Sequence, residues 1–292
     1  MPNTIDKSFV ENGPWKPNMF FGKVVFVTGG AGTICRVQTE AMVILGCKAA
    51  IVGRNLEKTK KTAAEIASLV NDDHAVLPIS GVDVRNVEQL HEAVKLTVQR
   101  FGRVDYVIAG AAGNFLADFT HLSANAFKSV VSIDLLGSFN TVKACFPELV
   151  KTKGAVLFVS ATLHYYGVPF QSHVGAAKAG IDALSNSLAV EMGPLGIRFN
   201  VVAPGAIANT EGLSRLTKKG SESSSDLTKM IPLQRLGTTV DIANTTVFLF
   251  SPAASYVTGA THVVDGGAWH VGSQITKDLY PQELHYNFSA KL

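Results

Sequence analysis

The chain has 292 residues, 47% hydrophobic and 17% charged, which is ample for one sizeable core. A formal net charge of +3 with no dense basic run argues against a nucleic-acid surface, and Lys58-Thr59-Lys60-Lys61 reads as the wet face of a helix. No stretch approaches the ~18 apolar residues of a membrane span, and Cys35, Cys47 and Cys145 are an odd, scattered set without metal spacing, as expected of small buried residues in a reducing compartment.

Residues 1–22 read as an N-terminal arm. It is polar, is broken by Pro14 and Pro17, and has no signal-peptide pattern, so an extended path across the body is expected. Val24-Val25-Phe26-Val27 is an apolar run rich in β-branched residues, as in a strand covered on both faces. Gly29, Gly30 and Gly32 then permit a tight turn, and from Thr33 the apolar spacing (Ile34, Val37, Ala41, Ile44) turns helical. A strand, a glycine turn and a helix N-terminus form a phosphate cradle, because unpaired amides and the positive dipole end point at the anion.

Strand and helix then alternate. The expected strands are Ala49–Val52, Ala75–Val82, Val104–Ala109, Gly154–Ser160, Arg198–Ala203 and Thr261–Val264. The expected helices run from Asn55 to Val70, from an Asn86 cap to Arg100, from a Ser123 cap to about Val150, from His173 to Met192, and from Asp241 to Phe250. The polar, serine-rich stretch from Glu211 to Lys229 reads as a lid. This order predicts a single-domain α/β fold, a Rossmann-like doubly wound parallel sheet, with ligands at the carboxyl ends of the strands. The divisions are the arm, a domain over residues 23–270, and a tail over 271–292.

Arg54 follows the second strand, where an arginine suits the extra phosphate of NADP; it also reads as a solvated strand-end arginine. Asp83 and Arg85 follow the third strand, where Asp83 either accepts from an adenine amino group or caps a turn. Two more glycine-bearing loops, Ala109–Phe115 and Ala203–Ile207, follow parallel strands at the same sheet edge.

With Val263-Val264-Asp265-Gly266-Gly267, these motifs resemble the short-chain dehydrogenase/reductase superfamily over about residues 20–270. Thr28 and Gly29 match its glycine motif, but Thr33 and Cys35 replace the second and third glycines. Lys178 matches the usual lysine, whereas Val174 stands in the tyrosine position and Ala161 in the serine position. Asp134 replaces the usual asparagine. Simple alcohol–ketone chemistry needs a phenol-type acid to protonate the alkoxide, so it is not expected here.

One branch, the peroxisomal 2,4-dienoyl-CoA reductases, also lacks the tyrosine. It is similar to this chain at Ala111–Phe115, Ile133-Asp134, Gly137–Asn140, Ala176–Ala179 and Ala203–Gly205 through Thr210–Leu213. The resemblance implies NADPH-dependent reduction of 2,4-dienoyl-CoA to trans-3-enoyl-CoA, with Asp134 and Lys178 as catalytic residues. It implies cofactor contacts at Gly29, Gly30, Gly32, Thr33 and Ile34, then at Arg54, Asp83, Val84 and Ala111. Lys178, Pro204, Gly205, Ile207 and Thr210 complete that set. For the acyl-CoA it implies Arg54, Arg85, Phe115, Ser123, Asn125 and Arg215, with no metal. Phe115 also reads as plain core, Asp134 as a helix-surface acid, and Lys178 as a ribose ligand only. His164, Tyr165, Tyr166 and His173 read as wall residues rather than acids.

Ala290-Lys291-Leu292 is a variant of the S-K-L address read by the peroxisomal import receptor. A homodimer or homotetramer is expected from the family. The alternatives are another peroxisomal enoyl-CoA reductase, which usually keeps the tyrosine, and a catalytically silent NADP-binding sensor or scaffold.

Overall fold

The computed structural model describes residues 4–216 and 228–272. Seven parallel strands form one sheet in the order β3-β2-β1-β4-β5-β6-β7. They are β1 Val24–Thr28, β2 Lys48–Gly53, β3 Val76–Ser80, β4 Tyr106–Ala109, β5 Ala155–Val159, β6 Arg198–Pro204 and β7 Thr261–Val264. The helices are α1 Ser8–Glu11, α2 Thr33–Ile44, α3 Leu56–Ser68, α4 Val87–Phe101 and α5 Ala124–Val131, followed by a π-helical segment Ser132–Leu136. After it come α6 Gly137–Thr152, α7 Leu163–Tyr166, α8 Ser172–Met192, α9 Glu211–Leu216 and α10 Thr239–Phe250.

β1 shows why the core has two halves. Val25 and Val27 pack on one face of the sheet with α2 and α10, while Phe26 packs on the other with α4, α6 and α8. All of Val24–Val27 is buried, so this strand alternates between two cores rather than between core and solvent. Asn86 and Ser123 cap α4 and α5 through their side chains, as their sequence positions predict.

The arm departs from the extended path. Ser8–Glu11 forms a helical turn, and Asp6 accepts from both the amide and the hydroxyl of Ser8. An Asx turn offers this polar segment local hydrogen bonds that an extended strand would not. Ile5, Phe9 and Phe20 are buried against the body, and Trp15 Nε1 donates to Asn244 at 2.7 Å.

Because every pairing is parallel, the carboxyl ends of all seven strands share one edge. The strand order reverses between β1 and β4, so the crevice opens between the loops that follow them.

Candidate active site

The glycine turn after β1 begins the site. Gly29 has φ +71°, a left-handed conformation that glycine adopts without strain, and its amide bonds Val52 O at 2.9 Å. Gly32 caps α2 without a side chain, so the first-turn amides after it face the crevice without a side-chain cap. Thr33 and Ile34 open that turn. Ala111 abuts Gly29 from the loop after β4; a Cβ on Gly29 would lie 2.9 Å from its backbone.

Cys35 explains how the turn tolerates a missing glycine. Its side chain is buried, and a Cβ built on Gly110 would meet Cys35 Sγ at 2.1 Å. The close approach usually allowed by a glycine on α2 is here allowed by a glycine across the crevice. Burial pushes the Cys35 thiol up to about 12, against the pull of Lys178, so it stays protonated. Gly110→Ala is expected to destabilise the fold by about 1–3 kcal/mol by overpacking. In a Cys35→Ala background the same change is expected to cost much less, as urea denaturation of the four-member cycle will read.

The loops after β2 and β3 carry the candidates expected on the adenosine side. Arg54 is exposed there and makes no hydrogen bond or ion pair among the described residues. Arg85 stands differently from the anion-facing reading: its guanidinium forks onto Asp83 at 2.9 and 2.6 Å. Asp83 also accepts from the Arg85 amide, which is the turn-capping alternative. The Arg85 guanidinium holds the Asp83 carboxyl at about 2, with a smaller contribution from Arg54. Val84 is buried behind this turn, its carbonyl accepting from Asn140 Nδ2 at 3.0 Å. Lys58 and Lys61 are exposed on α3, as the wet-face reading expects. With Ala31, Thr33, Arg36 and Glu211 they line a cleft of about 290 Å³, which Lys58 bridges to Glu211 at 2.6 Å.

Asp134 and Lys178 meet where α8 crosses the π-helical segment. A π turn inserts one extra residue and rotates the side chains of the next turn. Asp134 sits in it, fully buried, which rules out a helix-surface acid. A Cβ on Gly180 would lie 2.6 Å from Leu135, so a glycine on α8 lets the two elements touch. Lys178 Nζ then lies 3.1 Å from Asp134 Oδ2 and donates to Val159 O at 3.0 Å. Asp134 Oδ1 accepts from Gly113 N at 2.7 Å, whereas Oδ2 is buried without a well-aligned hydrogen bond. Oδ2 therefore faces the Lys178 ammonium as an ion pair while Oδ1 is held by the loop after β4.

Val174 seals the usual acid position. It is buried with Val130 and Ala177 in a small apolar cluster. Ser160 and Thr162 are also buried, and Ser160 Oγ is directed to Lys178 O at 3.4 Å. His164 and Tyr165 both reach Asp182 Oδ2, at 2.9 and 3.0 Å. Burial, reinforced by Asp182, raises the Tyr165 phenol above its ordinary range, and burial does the same for Tyr166.

The remaining candidates divide. Pro204 and Gly205 end β6, and Gly205 N bonds Val264 O at 3.0 Å. Ile207 is buried and bridges to Gly237, and the Thr210 hydroxyl donates to Ile207 O at 2.9 Å. Phe115 is 38% exposed, so it is not plain core. The Ser123 hydroxyl is used as the cap of α5, accepting from Ala126 N, and Asn125 is exposed on the same turn. The Arg215 side chain, most of the expected lid and Ala290-Lys291-Leu292 lie outside the described residues. Sequence reasoning missed the π segment and placed Tyr165 and Tyr166 in a loop, although they lie on α7.

A family model described as enoyl-(acyl carrier protein) reductase matches residues 29–269. The chain is 65% identical, over 99% of both chains, to the peroxisomal 2,4-dienoyl-CoA reductase SPS19, (3E)-enoyl-CoA-producing, of Saccharomyces cerevisiae. The chain belongs to the short-chain dehydrogenase/reductase family. The Mus musculus peroxisomal 2,4-dienoyl-CoA reductase is 42% identical, over 94% of this chain and 92% of its own. Among solved structures, levodione reductase superposes with a TM-score of 0.80 at 29% identity, covering 86% of this chain and 99% of that one. The citronellol catabolism dehydrogenase of Pseudomonas aeruginosa gives 0.74 at 31%, covering 88% and 98%. Family membership implies a nicotinamide cofactor, and the glycine-rich turn Gly29–Gly32 at the start of α2 fits its pyrophosphate.

Proposed function

We propose that this chain reduces 2,4-dienoyl-CoA to trans-3-enoyl-CoA with NADPH, in peroxisomal β-oxidation of unsaturated fatty acids. The observation that carries it is the buried Asp134–Lys178 pair at the sheet edge, beside a tyrosine position sealed by Val174. Ketone reduction would leave a localised alkoxide in need of a phenol. Dienoyl reduction instead spreads charge to the thioester oxygen, where a cation and a positioned water suffice.

Bound NADPH supplies a hydride, which adds at the δ carbon of the diene. The electron pair moves through the conjugated system to the thioester oxygen as an extended enolate. The Lys178 ammonium, fixed by Val159 O and Asp134, stabilises that charge in a site shielded from water. Asp134 Oδ2, the ion-pair partner of Lys178, orients a water whose other proton goes to the α carbon. Lys178 stabilises the hydroxide left behind, which is reprotonated from solvent. Protonation at the α carbon leaves the remaining double bond between the β and γ carbons.

Arg54 is assigned to the 2′-phosphate of NADPH and Phe115 to the acyl wall, while Arg85 is held by Asp83. Ala290-Lys291-Leu292 is assigned as the import signal, and the assembly as a homodimer or homotetramer. Arg54→Ala is expected to weaken NADPH binding about ten- to hundredfold, the worth of a charge-assisted hydrogen bond, and to leave NADH binding unchanged. Fluorescence titration reads both; equal losses for the two nucleotides would remove the assignment. The activity is tested by following the dienoyl chromophore with NADPH. Tight NADPH binding without turnover would favour a silent binding protein.

A further inference from the structure

The loop after β4 carries Phe115 and is held at three points. Gly113 N donates to Asp134 Oδ1 at 2.7 Å, Ala117 N to Phe170 O at 3.2 Å, and His173 Nε2 lies 3.1 Å from Phe115 O. The Phe115 and His173 rings also touch in a tilted contact, with centroids 4.4 Å apart and planes at 35°. His173 is fully buried on the first turn of α8, next to Val174.

A carbonyl oxygen only accepts, so Nε2 carries the proton. Nδ1 is buried and has no hydrogen-bond partner, so a charged imidazole would bury a second N–H without an acceptor. The neutral Nε2–H tautomer is therefore the one that fits. Burial lowers the His173 pKa and outweighs the opposing effects of the hydrogen bond to Phe115 O and of Asp134.

We propose that His173 is a positioning residue for the acyl group: it pins the Phe115 carbonyl and one face of its ring, so that the other face is presented as a fixed wall at a set distance from Asp134. This rests on the reading of the site as a dienoyl-CoA reductase. The arrangement differs from ordinary core packing because Phe115 stays partly exposed while its partner is wholly buried. It also predicts a requirement for a donor, not merely for volume.

The test compares His173→Met, which keeps volume but has no donor, with His173→Gln, whose amide can reach the same carbonyl. In the full-length enzyme His173→Met is expected to raise KM for dienoyl-CoA roughly five- to tenfold, about one hydrogen bond. The expected kcat is within a few-fold of wild type, and NADPH affinity is unchanged. His173→Gln is expected to recover most of the KM. Calorimetric titration of a saturated acyl-CoA into the NADP-loaded protein should give the same order of affinities. That readout separates the two claims: an inactive wild type overturns the activity, while acyl-CoA binding still reads the role of His173. A glutamine variant no better than methionine, or a loss confined to kcat, would overturn the role. If His173→Met does not fold, His173→Gln alone decides, because a near-wild-type KM is required of it.

Discussion

Replacing Lys178 with methionine is expected to lower kcat/KM by about three orders of magnitude or more, combining the loss of a preorganised cation with the loss of proton handling. The lysine does both because of where it is held. Val159 O at 3.0 Å and Asp134 Oδ2 at 3.1 Å fix its ammonium in a nearly solvent-free site. Methionine preserves most of the volume, so the defect is electrostatic rather than a cavity. It also leaves Asp134 buried without a counter-charge, at a cost of about 3–5 kcal/mol. The variant should therefore show a lowered thermal midpoint. Single-turnover absorbance at the dienoyl chromophore, under saturating NADPH, separates chemistry from cofactor binding. Turnover within tenfold of wild type would contradict the role given to this residue.

Asp134→Asn is expected to reduce kcat by about 10²–10⁴, the range for loss of a positioned proton-transfer group, with little change in KM. The substitution keeps an oxygen for Gly113 N, so the loop after β4 should hold its path. It removes the charge opposite Lys178 and replaces Oδ2, the ion-pair partner of Lys178, with a donor. Asp134→Ala should differ in kind. It also leaves Gly113 N without its acceptor, and KM should rise with the fall in kcat. Steady-state kinetics of the two variants side by side read that split. Equal effects on both parameters from both variants would mean that Asp134 acts only as a strut.

Most of the sheet was legible because each buried strand is a short apolar run bounded by punctuation. β7 occupies Thr261–Val264 as expected, and Asn86 and Ser123 cap the helices that they precede. Edges slipped where local bonding decided them. β3 stops at Ser80 rather than Val82 because Gly81 takes φ +76° and turns the chain. The arm was misread because Pro14 and Pro17 suggested extension, whereas the Asp6–Ser8 turn upstream of them favours a helical start.

At the site, the chemistry-bearing residues were visible by type, but their geometry was not. Lys178 was singled out by the family resemblance and set on a helix by spacing; the π segment that turns Asp134 inward has no spacing signature, since it adds a single residue within a continuous helix. The Cys35–Gly110 contact joins residues far apart in sequence, so the altered glycine motif looked like a defect until both sides were seen together. His173 was legible as a wall residue only. Its tether to Phe115 depends on a loop path that three separate contacts set.

The most direct measurement of the central claim is the position of isotope in the product. With NADPH deuterated at the transferring position, deuterium should appear at the δ carbon. With unlabelled NADPH in deuterated water, it should appear at the α carbon, with the double bond between the β and γ carbons. That pattern requires a proton delivered beside the thioester, where the Asp134–Lys178 pair is placed. Solvent deuterium at the γ carbon, giving a 2-enoyl product, would contradict it.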